Sequence, residues 1–169
     1  MNTKISTKKL VYGALIAAIY AVLTIVLAPL SYGAVQVRVS EVLTVIPFFS
    51  SFSVLGLTIG CLISNLLSPI GILDIVFGTL ATFASAFLTY KIGKSNLKYK
   101  IYLAPLPAVI INGIVVGILI NISLPSSPMV YISSMLLIAF EEMLPCYVLG
   151  LPLLILIDRN KGLRKFFNI

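Results

Sequence analysis

The sequence contains no histidine and no tryptophan, and it sets only five Asp and Glu against twelve Lys and Arg. Without histidine there is no imidazole for acid–base catalysis, no histidine metal ligand, and no Ser/His or Cys/His nucleophile pair. The two cysteines, Cys61 and Cys146, sit inside apolar segments with no metal-ligand spacing, which reads as buried thiols and not as a disulfide or a reactive pair. No Gly-x-x-x-x-Gly-Lys-[Ser/Thr] phosphate loop occurs, so this chain does not hydrolyse ATP by itself. A non-enzyme without metal or cofactor is expected.

What is present is hydrocarbon. Of 169 residues, 60% are hydrophobic and 10% charged, and the mean hydropathy is +1.13, well beyond the apolar share of a soluble domain. These values predict an all-α integral membrane protein. The net charge of +7 does not point to nucleic acid, because the basic residues, Arg38 apart, gather in three short places: Lys4 to Lys9, Lys91 to Lys100, and Arg159 to Lys165. Such clustering is a topology signature.

The apolar runs predict six transmembrane helices in one domain spanning residues 1–169, with both termini cytoplasmic and no internal repeat. The first runs from Leu10 to Leu30 and is read as retained, not as a cleaved signal. It carries Ala14, Ala17, Ala18 and Ala21, two overlapping small-xxx-small pairs that allow another helix to approach closely. A second, short run from Val37 passes Pro47, which favours a kink. The third spans Phe52 to Leu67, the fourth Leu73 to Tyr90, the fifth Ala104 to Ile122 and the sixth Tyr131 to Ile157. The loops Pro29 to Gln36 and Asn121 to Pro128 fall outside, and the basic Lys91 to Lys100 loop falls inside.

Charge inside such a chain needs a reason, since an ionised side chain at membrane depth costs at least about 2.5 to 3.5 kcal/mol on insertion scales. On this topology Arg38, Glu41, Asn65 and Asp74 fall near the outer face. Asn112 and the pair Glu141-Glu142 lie deeper, Glu142 roughly 15 to 20 Å along the sixth helix at about 1.5 Å per residue. Together they predict one outward-facing cavity in which several acids face a single buried base, suited to a cation or to a ligand rich in hydrogen-bond donors. Structural roles compete at each position. Arg38 and Glu41, at i and i+3, can neutralise each other; Asp74 can cap its helix; Asn65 and Asn112 can join helices. Glu141 and Glu142 lie about 100° apart around a helix, so one of them is expected to be peripheral.

Several stretches resemble one family in order along nearly the whole chain: Arg38-Val39-Ser40-Glu41-Val42-Leu43-Thr44-Val45-Ile46-Pro47-Phe48-Phe49, Gly71-Ile72-Leu73-Asp74-Ile75-Val76-Phe77-Gly78-Thr79-Leu80-Ala81-Thr82, Ala104-Pro105-Leu106-Pro107 and Cys146-Tyr147-Val148-Leu149-Gly150-Leu151-Pro152. They are similar to the QueT family, substrate-binding S components of energy-coupling factor (ECF) transporters for queuosine precursors. The resemblance implies a six-helix S-component bundle in the plasma membrane of a prokaryote, working with a shared transmembrane subunit and two ATPases. It implies that the alanines of the first helix form the docking face. The family pattern has glycine before the acid of the sixth helix, where this chain has Glu141, which favours Glu142 as the site residue. The implied ligand, the pre-queuosine base 7-aminomethyl-7-deazaguanine or queuine, would use two acids, Asn112 or Asn65 for its carbonyl, and Phe77 or Tyr147 for stacking. An ion-coupled secondary transporter of a purine-like or cationic solute is the competing reading, with the acids as proton carriers.

Overall fold

A computed structural model describes residues 7–32, 37–123 and 128–167. Lys4 of the first basic cluster, and residues 33–36 and 124–127 of the two expected outer loops, lie outside the described residues. Among the described residues there is no strand. Six principal helices carry the fold: α1 (Thr7–Val26), α2 (Val39–Phe48), α3 (Ser51–Asn65), α4 (Asp74–Lys94), α5 (Lys100–Ile122) and α6 (Met129–Arg159). Four of them, α1, α4, α5 and α6, are long and apolar enough to cross a membrane. The other two have 10 and 15 residues, rising roughly 20 Å each against a hydrocarbon core of about 30 Å.

The helix α2 is the axle of the bundle. It is wound as a 3₁₀ helix, and Ser40, Glu41 and every residue from Leu43 to Phe48 are buried. One side packs Leu43 and Ile46 among Tyr12, Ile16 and Tyr20 of α1, Val54, Leu57 and Cys61 of α3 and Ala86 of α4. The other packs Val45 and Phe48 against Leu154 and Ile157 of α6 and Ala104 of α5. Pro47, which has no N–H to donate, sits inside this tight helix. The 3₁₀ winding has a consequence for chemistry: with three residues per turn, positions i and i+3 eclipse, so Glu41, Thr44 and Pro47 form one row, preceded by Arg38 as the extended cap residue of the helix.

Small residues set the spacing elsewhere. A Cβ on Gly60 of α3 would lie 2.8 Å from the Ala17 carbonyl oxygen of α1, and one on Gly56 would lie 2.5 Å from that of Gly13, so these backbones touch. The pair α5 and α6 is built the same way, with Gly113 against Ala139 and Gly117 against Met135. Ala17 and Ala21 are consequently buried at 6% exposure each. Ala14 and Ala18 face outward.

The three basic clusters meet at one end of the bundle. A terminal helix, Lys161–Phe167, folds back so that Phe166 and Phe167 meet the ring of Tyr12 edge-on at 5.8 and 5.6 Å. Lys9 lies 5.3 Å from the ring of Phe52 and Lys100 5.7 Å from that of Phe48. The start of α2 and the end of α3 are therefore at the opposite end.

Candidate functional site

Two buried polar knots lie at the start of α2, one around its cap residue Arg38 and one around Glu41 in its first turn. At the first, Arg38 forms an ion pair through Nη2 with Asp74 Oδ2 of α4 at 3.0 Å and donates from Nη1 to Asn65 Oδ1 of α3 at 3.2 Å. Asn65 in turn donates from Nδ2 to the Asp74 carbonyl at 3.0 Å and to Cys61 Sγ at 3.3 Å. The ring of Tyr32 covers the guanidinium at 5.6 Å, and its hydroxyl donates to the Ser64 carbonyl at 2.7 Å. Burial pushes the Tyr32 phenol above the ordinary tyrosine value, with Arg38 opposing, so the group keeps its proton and stays a donor.

Asp74 gives one oxygen to Arg38. Its other oxygen, Oδ1, is buried without a hydrogen-bond partner among the described residues. The residue opens α4 in a π-wound turn, Asp74–Gly78, a distortion that often accompanies functional sites. Gly78 makes room for the carboxylate: a Cβ there would collide with Asp74 Oδ1 and lie 3.0 Å from Asn65 Nδ2. Gly78→Ala is therefore expected to push the carboxylate away from Arg38 and to cost about 1–3 kcal/mol, read as a lower unfolding midpoint of the purified protein. An unchanged midpoint would mean that Asp74 turns aside without losing Arg38.

The second knot lies at Glu41, three residues on from Arg38 and in the first turn of α2. Here Glu41, 1% exposed, accepts the hydroxyl of Tyr20 on Oε1, while Oε2 is buried without a partner. Glu142 of α6 accepts from Asn112 Nδ2 of α5 at 3.3 Å. Cys146 Sγ lies 3.8 Å from Glu142 Oε2, 3.8 Å from the Glu41 carbonyl and 3.7 Å from Thr44 Oγ1. A carboxylate oxygen of Glu41, one of Glu142 and Cys146 Sγ all lie within 4.8 Å of one another. Among the described residues the buried ion pair of Arg38 goes to Asp74, and neither Glu41 nor Glu142 has a salt-bridge partner. Two adjoining buried acids without a cation must either hold protons or accept one from a ligand.

Six of the expected site residues thus converge: Arg38, Asn65 and Asp74 at one knot, Glu41, Asn112 and Glu142 at the other. Arg38 and Glu41 do not pair with each other, because the longer reach of the guanidinium takes it across to α4. Asp74 does not cap α4, since one oxygen takes Arg38 and the other has no donor. Glu141 and Glu142 are both buried at 5% exposure, but it is Glu142 that joins Glu41 and Cys146. Phe77 is elsewhere, 49% exposed beside Leu73 and Val115 in an apolar groove, and Tyr147 donates its hydroxyl to the Tyr102 carbonyl at 3.2 Å. The aromatic rings at the knots are Tyr20 and Tyr32. Cys146 had a readable signal, four residues after Glu142 and hence on its face; Tyr20, twenty-one residues from Glu41, had none. Every charged or amide side chain of the two knots is at most 6% exposed.

The model of the QueT transporter family matches residues 10–159. The queuosine precursor transporter QueT of Lactococcus lactis subsp. cremoris (strain MG1363) is 42% identical over 81 residues, which cover 47% of this chain and 47% of that protein. The match therefore spans about half the length of the relative. No solved structure matches the chain.

Proposed function

The chain belongs to the QueT transporter family, and from that premise we propose that it is the substrate-binding subunit, an S component, of an ECF transporter that imports a queuosine precursor. The observation that carries the substrate reading is the pair of buried acids, Glu41 and Glu142, with a partnerless oxygen on Glu41 and no salt-bridge partner for either acid among the described residues. The curated relative named for queuosine precursor transport supports the same ligand class.

The pre-queuosine base 7-aminomethyl-7-deazaguanine suits both knots. Its primary ammonium sits against Glu41 and Glu142, where a charge-assisted hydrogen bond meets the free Oε2. The ring carbonyl neighbours the aminomethyl arm, so Asn112, beside Glu142, is its donor. The far edge of the base carries a ring N–H and an amino group, and Asp74 Oδ1 is the acceptor still open to them. A metal ion fits less well, because two carboxylates and one thiol without histidine satisfy neither the usual zinc set nor an all-oxygen site. We place the basic end in the cytoplasm by the positive-inside rule, with α2 and α3 completing six crossings as shortened spans, so that the knots face outward. The partners are a shared transmembrane subunit and two ATPases.

The test is a titration of the purified protein with 7-aminomethyl-7-deazaguanine, queuine and guanine. The aminomethyl base should bind saturably and at least about tenfold more tightly than guanine, which lacks the ammonium; one charge-assisted bond is worth roughly 1.5–3 kcal/mol. Equal affinity for guanine would remove the ammonium from Glu41 and Glu142. Absence of saturable binding for all three would remove the function.

A further inference from the structure

The basic end of the bundle holds a second polar feature, remote from the two knots. A recess of about 530 Å³ there is lined by Ser50, Ser51, Lys94, Lys100, Asp158 and Arg164 among others. Three cations face one carboxylate. Asp158 is matched to Arg164 at 3.5 Å. Lys100 donates to the Gly93 and Ser95 carbonyls at 3.1 Å each, which ties it to the carbonyl end of α4 while its charge stays unmatched by any carboxylate among the described residues. Lys94 has no carboxylate partner among the described residues, and its ammonium lies 5.8 Å from the Tyr90 ring.

The N-terminus of α3 opens onto the same recess. Ser50 is its cap residue, and a serine there ordinarily accepts a first-turn N–H with its hydroxyl. This one does not: Ser50 makes no side-chain cap bond, and its Oγ, in a residue only 4% exposed, is buried without a hydrogen-bond partner. A fifteen-residue helix presents the positive end of its dipole beside an unused hydroxyl and two unmatched ammonium groups. That combination of donors and positive charge is what a phosphate group requires.

We propose that this recess is a phosphate-group site, taking either the headgroup of an anionic lipid in the adjoining leaflet or inorganic phosphate. It is independent of the nature of the transported substrate. The test uses full-length protein in phosphatidylcholine nanodiscs. In one arm a third of the lipid is replaced by phosphatidylglycerol; in the other, inorganic phosphate is titrated against chloride at matched ionic strength. Unfolding midpoints are read in both. The wild type should be stabilised in at least one arm, and the arm that responds names the source. The double variant Lys94→Gln/Lys100→Gln should lose about tenfold in apparent affinity there. Lys8→Gln/Lys9→Gln, which removes the same charge at the same end outside the recess, should keep the response. Ser50→Ala, which leaves net charge untouched, should weaken it about threefold and serves if the double variant does not fold. No response in either arm, equal loss in the Lys8/Lys9 control, or a Ser50→Ala protein indistinguishable from wild type would each overturn the site.

Discussion

Glu142→Gln should weaken binding of 7-aminomethyl-7-deazaguanine by roughly ten- to a hundredfold, about 1.5–3 kcal/mol, while Glu141→Gln should matter much less. Glutamine keeps the size of the side chain, and its amide oxygen can still accept from Asn112 Nδ2, now 3.3 Å from Glu142 Oε1. What it removes is the charge that an ammonium would meet beside Glu41 Oε2. Titration of the purified variants separates a ligand contact from a structural one by including guanine. If Glu142 meets the ammonium, guanine affinity should hold while that of the aminomethyl base falls, and the gap between the two should close. Equal loss for both bases would make the carboxylate a structural group, and a larger effect at Glu141 would move the site around α6. Because the two acids face each other without a cation, the ligand-free Glu142→Gln protein should be no less stable to heat than wild type.

The readable part of this protein was its periodic part. Long apolar runs announce α1, α4, α5 and α6 within a few residues, since a chain that must satisfy its backbone in hydrocarbon has little choice but to wind. The 3₁₀ winding of α2 was not readable: the helix is packed among α1, α3, α4, α5 and α6, and packing of that kind is a tertiary fact. Arg38 and Glu41 were visible as a same-face pair, yet their real partners stand far off in sequence, Asp74 thirty-six residues from Arg38 and Tyr20 twenty-one from Glu41. Phe77 and Tyr147 were chosen for their rings and their place in family-like motifs. The π-wound turns Asp74–Gly78 and Leu144–Gly150 break the regular helical period at just those two stretches, so positions counted from ideal helices drift there.

The alanines of α1 show the same division between pattern and packing, and they give the prediction with the largest effect. Replacing Ala14 and Ala18 together with leucine should leave ligand affinity near wild type and abolish uptake by cells. Ala17 faces α3, where its backbone touches Gly60, and Ala21 is buried as well, so Ala17→Leu is expected to damage the fold itself. Ala14 and Ala18 face outward and line a shallow apolar groove with Leu55 and Ile59 of α3. A smooth groove of this kind admits a partner helix at short backbone distance, and two leucines would fill it. Leucine is no less soluble in lipid than alanine, and the groove is lined by none of the residues of the two knots, so nothing in the lone subunit opposes the change. On the proposed S-component role, uptake and co-purification with an ECF transmembrane subunit should therefore fall together, by at least about tenfold, while the titration curve of the purified double variant stays put. A parallel fall in affinity would return both alanines to internal packing. Uptake that survives intact would move the docking face elsewhere, and uptake that persists in cells lacking the partner ATPases would make the chain an ion-coupled transporter, with Glu41 and Glu142 carrying protons in place of an engine.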